Sequence, residues 1–317
     1  MIVERDRWFD SPVRRDGRIR PAHYAMFRRA NEMAVEHAFI DLRRAADVLL
    51  LANRDYDRLE AASVLVSFPG DFLETPSGFS EYPTFMTVAE ESLGFEQPIQ
   101  VAKADWFSGA YRALSDSGFA FLISDTALQP KRWEQFRVLV LGTYDYLDTR
   151  LARALVAHAR AGGVVVLGPK IPSLGLDMEP DGTLAAALAE AEQTPLVNAG
   201  RTIGEAYRFG GGVIARLDSA ADVGVAIEAL PGGDDLVRFR RNDQRLDVAI
   251  HRDTKDPERI VFYVANPTAE TIDADIELSI PLGTVREIWE GRGVETASNR
   301  LRERLPAYTI RVFESRR

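Results

Sequence analysis

One stretch leaves little choice of local fold: Phe136–Pro169, which reads FRVLVLGTYDYLDTRLARALVAHARAGGVVVLGP. Arg137–Leu141 is a β-branched and leucine run of the kind that forms a buried strand. Asp148 or Thr149 can cap a helix whose apolar positions are Leu151, Ala154, Leu155 and His158 or Ala159. Gly162-Gly163 ends that helix, because glycine enters the left-handed C-terminal conformation at little cost. Val164–Leu167 is a second buried strand, closed by Gly168-Pro169. Strand, helix and strand make one βαβ unit, and such units build parallel sheets with right-handed crossovers.

Neighbouring segments extend that sheet. Asp47–Ala52 (DVLLLA) reads as a buried strand and Ser63–Ser67 (SVLVS) as a strand or part of a lid. Residues 68–100 hold four prolines' worth of interruptions mixed with glycines and aromatics, a long irregular connection of the kind that reaches a partner or a site. A helix follows at about Asp105–Ser117, with Phe107, Ala110, Tyr111 and Leu114 on one face. Gly118 terminates it and Phe119–Ile123 is the next strand. Leu184–Glu192 reads as an alanine-rich helix, Val213–Leu217 as a strand, and Asp218 or Ser219 as the cap of a helix to about Ala229. The order gives an α/β domain with a doubly wound, mostly parallel sheet.

Pro231–Asp235 reads as a linker, after which the period falls from about 3.6 to 2. Leu246–His251, Ile260–Val264, Ile272–Leu278, Thr284–Trp289 and Tyr308–Phe313 are short strands of a small antiparallel β-sandwich. Its aromatics Tyr263, Trp289 and Tyr308 alternate with apolar neighbours and read mostly as core. At the other end, Pro21 suits a first helical turn, and Tyr24, Phe27, Ala30 or Asn31, Ala34 and Ala38 recur at helical spacing to about His37. The opening therefore reads as the last piece of something larger, cut just before its final helix.

Composition removes several functions. The net charge of −9 argues against a general nucleic-acid binder. The absence of cysteine excludes disulfides, thiolate zinc sites and a cysteine nucleophile, and fits a reducing cytoplasm. The N-terminus has no signal-peptide pattern, and no apolar run approaches the roughly 20 residues that span a bilayer. Histidines 23, 37, 158 and 251 show no metal-ligand spacing, and His158 reads as a helix-surface residue. No cofactor is expected. Gly210-Gly211-Gly212 leads into a strand, whereas phosphate loops lead out of one, so it reads as a turn. Lys170 lies at the carboxyl edge of the sheet, where ligands bind in such folds, but reads rather as a solvated loop lysine. Glu4-Arg5-Asp6-Arg7-Trp8 is either a sugar-reading cluster, with Glu4, Arg5, Asp6 and Trp8 as its binding residues, or a surface ion-pair network anchored by one indole. Among 48 acidic residues no spacing singles out the carboxylate pair of a glycoside hydrolase.

Three segments in order carry a resemblance. ERDRW with SPVRRDG resembles the segment leaving the eighth strand of a (β/α)8 barrel, followed by its last helix at Ala22–Glu36. The 136–169 stretch resembles the middle of a class I glutamine amidotransferase-like domain. RIVFYVANPTAETIDADIEL with LPAYTIRVFE resembles a closing sandwich. Together they resemble the C-terminal region of β-galactosidase-type glycoside hydrolases, family 42 or family 35-like. The resemblance implies residues 1–37 as the end of an otherwise absent barrel, 38–230 as the amidotransferase-like domain and 231–317 as the β-sandwich. It implies a non-catalytic portion or small subunit that serves oligomer assembly and completes the sugar site of a barrel-bearing partner, touching carbohydrate only indirectly. The family's catalytic glutamates lie upstream, so no catalytic residue is carried onto this chain. Without a cysteine, amidotransferase chemistry through a thiolate is impossible. Two other readings stand beside this one: an independent enzyme with its chemistry near Tyr144, Asp145 and Lys170, and a carbohydrate-binding scaffold using the sandwich.

Overall fold

A computed structural model describes residues 13–56 and 99–317, residue 15 excepted, and the side chains of 99–104 are left out. The expected strand at Ser63–Ser67, nearly all of the 68–100 connection and the Glu4–Trp8 cluster lie outside the described residues.

Seven strands form the central sheet: β2 (Val48–Ala52), β3 (Phe121–Asp125), β4 (Val138–Thr143), β5 (Val164–Pro169), β6 (Glu192–Asn198), β7 (Arg201–Phe209) and β8 (Gly212–Leu217). Their spatial order is β3-β2-β4-β5-β8-β7-β6. The first five in that order run parallel, with Leu50 opposite Val140 and Val140 opposite Val166. Alternate side chains feed opposite faces. Val48, Leu50, Val140 and Val166 pack with Trp106, Ala110 and Leu114 of the helix Ile99–Asp116 (α2), while Leu49, Leu51, Leu141 and Leu167 pack with Leu151 and Leu155 of the helix Thr149–Arg160 (α3). Each leucine or valine buried in this way contributes about 1.5–3 kcal/mol of transfer free energy.

The sheet corrects the expected fold class in one respect. It is mixed rather than mostly parallel, because β7 and β6 return antiparallel on β8. The helix expected over 184–192 ends at Ala189. From Glu192 the chain enters a hairpin that turns at Ala199 and Gly200, with φ of 48° and 81°, the left-handed pair that a tight two-residue turn requires. Gly210 supplies the next turn into β8, so the three glycines serve a hairpin.

The β-sandwich is present. A six-stranded sheet, β1-β10-β11-β17-β13-β14, faces a four-stranded one, β15-β16-β12-β9. Here β1 is Leu42–Arg44, β9 Phe239–Arg241, β10 Asp247–Asp253, β11 Arg259–Asn266, β12 Ile272–Leu278, β13 Thr284–Glu287, β14 Arg292–Val294, β15 Thr296–Ala297, β16 Arg300–Leu305 and β17 Thr309–Arg316. All pairings are antiparallel. Period-two burial places Ile272, Ala274, Ile276 and Leu278 in the core, where Phe262 stacks on Phe313 at 5.1 Å. None of the three sandwich aromatics takes the expected core place: Tyr263 is only partly buried, and Trp289 and Tyr308 are exposed. The latter two fall at the strand ends, beyond the alternation that buries Phe262 and Phe313.

Helix α1 (Pro21–Glu36) starts at the proline, as its sequence indicates. Met33 is its one buried residue, and Tyr24, Met26, Phe27 and Val35 are all about half exposed or more. Its carboxyl end is tied to the sandwich by one buried cation. Arg259 is 3% exposed. It donates to the His37 carbonyl at 2.6 Å, to Asp253 Oδ2 at 2.7 Å and to Glu314 Oε2 at 3.0 Å. Desolvation alone would raise the Glu314 carboxyl, but the Arg259 and Arg316 contacts hold it below the ordinary value. Among the described residues no helix is long and apolar enough to cross a membrane.

Candidate functional site: the carboxyl edge of the mixed sheet

Helix α2 packs on one face of the sheet and α3, which follows β4, on the other. The carboxyl ends of neighbouring strands whose helices lie on opposite faces are where open α/β sheets bind ligands.

On the β4 side the loop is pinned by a cluster of tyrosines. The Tyr56 hydroxyl donates to the Tyr146 carbonyl at 2.8 Å and accepts from the Tyr144 amide at 2.7 Å. The ring of Tyr56 meets those of Tyr144 and Tyr146 edge to face at 5.6 and 4.6 Å. Burial, reinforced by Asp105, pushes the Tyr144 hydroxyl up to about 12, and burial raises Tyr146 too. All three phenols are therefore neutral at physiological pH. Tyr56→Phe leaves a backbone N–H and a carbonyl without partners, and chemical denaturation is expected to show a loss of about 1–3 kcal/mol.

Lys170 and Asp145, expected at this edge, do meet: Nζ to Oδ1 is 2.8 Å, with both side chains more than half exposed. Thr143 donates to the Lys170 carbonyl at 2.6 Å and fixes the loop between them. Tyr144 is buried away from this pair. An exposed ion pair beside a buried phenol offers neither a nucleophile nor a base in a dry pocket, so the trio is a structural edge.

On the α3 side, Asp148 caps the helix by accepting from the Arg150 amide at 2.7 Å, as its position before Thr149 indicates. Desolvation would raise the Asp148 carboxyl, but the backbone and guanidinium contacts of Arg150 hold it below the usual range. Asp148→Ala is expected to cost about 1 kcal/mol, read as a lower thermal midpoint. Thr149 in turn donates to Asp181 at 2.5 Å.

A crevice of about 400 Å³ lies between these loops, lined by Arg54, Asp55, Thr126, Trp133, Asp148 and Arg150 among others. Sequence reasoning missed it, because its residues come from three separate segments. A larger cavity of about 720 Å³ opens at the opposite, amino edge around Lys131, Arg137 and His158. Burial lowers the pKa of His158, whose Nε2 stands 3.4 Å from the Arg137 carbonyl. Gly163 leaves room for that imidazole: a Cβ there would lie 2.2 Å from Nε2. The sequence-derived sugar cluster Glu4, Arg5, Asp6 and Trp8 cannot be placed against either cavity, being outside the described residues. Among the described residues no group of three potential ligands gathers to hold a metal.

Residues 89–209 match the family model described as GLMA-like, second domain. No curated protein sequence matches the chain. Among solved structures, the chain is similar to Gan42B, a GH42 β-galactosidase from G. stearothermophilus, with a TM-score of 0.61 and 13% identity over 98% of this chain and 46% of that one. It is similar to a β-galactosidase from Bacillus circulans sp. alkalophilus, with a TM-score of 0.56 and 12% identity over 88% and 42% of the two chains. The α-L-fucosidase isoenzyme 2 from Paenibacillus thiaminolyticus gives 0.51 and 13%, over 90% and 51%. The likeness is one of fold, and the chain spans about half the length of these enzymes. The described residues thus share the α/β-plus-sandwich fold of a region of glycoside hydrolases. More particularly, the solved structures that share it include GH42 β-galactosidases, and the match of residues 89–209 to the GLMA-like second domain model fits the resemblance read from the sequence.

Proposed function

We propose that this chain is the non-catalytic, assembly-building portion of a β-galactosidase-like glycosidase. In this reading the catalytic carboxylates sit on a (β/α)8 barrel outside these 317 residues, and the α/β domain, amidotransferase-like in shape only, presents an oligomerisation surface. A cysteine-free chain suits a cytoplasmic setting. One observation carries the reading. Helix α1 is anchored to the sandwich through Arg259 and yet exposes Tyr24, Met26, Phe27 and Val35, an apolar surface suited to packing against further helices. The half-length match to β-galactosidases supports it from a second side.

The test has two arms. The purified chain is expected to show no turnover of nitrophenyl β-galactoside, and to bind a barrel-bearing glycosidase chain or itself in size-exclusion chromatography with light scattering. Tyr24→Asp/Phe27→Asp is expected to weaken that association about tenfold or more, since each change places a charge in a buried contact. Turnover that persists through rigorous purification, or a monomer that ignores every barrel-bearing chain offered, would refute the proposal.

A further inference from the structure

The carboxyl-edge crevice has a lining with a definite chemical bias. Arg54 and Asp55 follow β2; Asp148 and Arg150 open α3. Two guanidinia and two carboxylates balance, so an anion or a cation entering would meet a like charge beside its partner. A hydroxyl suits both kinds of wall, because it accepts from a guanidinium and donates to a carboxylate at once. Leu128 and Trp133 supply an apolar side. The volume of about 400 Å³ falls in the range of small-molecule sites.

Trp133, which lines the crevice, is 2% exposed, so its indole is a fixed part of the wall. Trp133 also borders the amino-edge cavity, which Lys131, Glu134, Arg137, Asp47 and His158 line, but that opening lies at the end of the strands where open α/β sheets do not place ligands.

We propose that the crevice between the β2 and β4 loops binds an uncharged polyhydroxylated ligand the size of a mono- or disaccharide. Arg54 and Arg150 donate to its hydroxyls, and Asp55 and Asp148 accept from them. The proposal does not rest on the assembly reading.

The experiment uses the full chain of 317 residues. Calorimetry and tryptophan fluorescence follow titration with galactose, glucose and lactose, and with inorganic phosphate as the charged probe. At least one neutral sugar is expected to bind saturably with a change in emission, and phosphate is not. The side chain of Arg150 is 89% exposed, and Arg54 is exposed too, so Arg54→Ala/Arg150→Ala is expected to fold, as circular dichroism would confirm. It should weaken the sugar about tenfold or more through the lost charged hydrogen bonds. His158→Ala, in the other cavity, should leave binding unchanged. The proposal is overturned by no sugar binding, by phosphate binding in its place, by sugar affinity that survives loss of both arginines, or by loss confined to the His158 variant.

Discussion

Arg259→Met is expected to lower the unfolding free energy by about 3–5 kcal/mol, the cost of removing one partner from a buried ion cluster. The arginine is almost fully enclosed and serves three acceptors, and a methionine of similar length leaves Asp253 and Glu314 facing each other without a cation. It also releases the His37 carbonyl, so α1 loses its anchor. Denaturant titration reads the first effect, and amide exchange over Pro21–Glu36 reads the second. The pH dependence adds a signed check. Backbone hydrogen bonds from Lys255 and the Arg259 contact depress the Asp253 carboxyl, and Glu314 is depressed as well. Carboxylates depressed by folding contribute stability above their unfolded values near 4, and that stability disappears as pH falls through the folded values. The native chain is therefore expected to lose stability below about pH 4, and the methionine variant to show a shallower acid slope. An equal slope in both would remove Arg259 from the account.

Gly118→Ala is the second large effect. Gly118 ends α2 with φ of 71°, and a Cβ there would fall 1.8 Å from the Phe239 carbonyl oxygen. That neighbour is backbone: Phe239 N–H donates to the Gly118 carbonyl at 2.8 Å, and Ala120 N–H to Val237 at 2.9 Å. An alanine has to adopt a left-handed conformation, at about 1–2 kcal/mol, and push the junction open, at roughly 1–3 kcal/mol more. Calorimetry should show a lower midpoint and, if the joint between α/β layer and sandwich parts, two transitions in place of one. A midpoint within a degree of the native value would show that the junction yields freely.

Elements whose apolar pattern is local were legible in the sequence. The 136–169 unit folds as read, with the Asp148 cap and with Gly162 at φ of 98°. Strand Ile272–Leu278 matches to the residue. What was missed lacks such a pattern. Strand β6 runs at a sheet edge and reads Glu-Gln-Thr-Pro, with only Leu196 buried. Strand β16 reads RLRERL, its outer face charged, and only Leu301 and Leu305 point into the core. At the site, Lys170 and Asp145 could be placed together because each follows a neighbouring parallel strand. That Arg54 lines one crevice with Asp148 and Arg150 could not, since it depends on how the end of β2 sits relative to the start of α3.

The pairing of β1 with β10 has a consequence for how this molecule is made. Arg44 lies opposite His251, so the sandwich begins before the α/β layer and finishes after it. Topologically the whole α/β core is a guest inserted within its host. On a ribosome the host cannot close until the guest has emerged, and the long loop must be closed before β1 gains its partner. A protease or gene boundary placed at the linker near residue 231 would sever the host, not separate two modules, and residues 231–317 alone are expected to fray at β10, whose outer neighbour they lack.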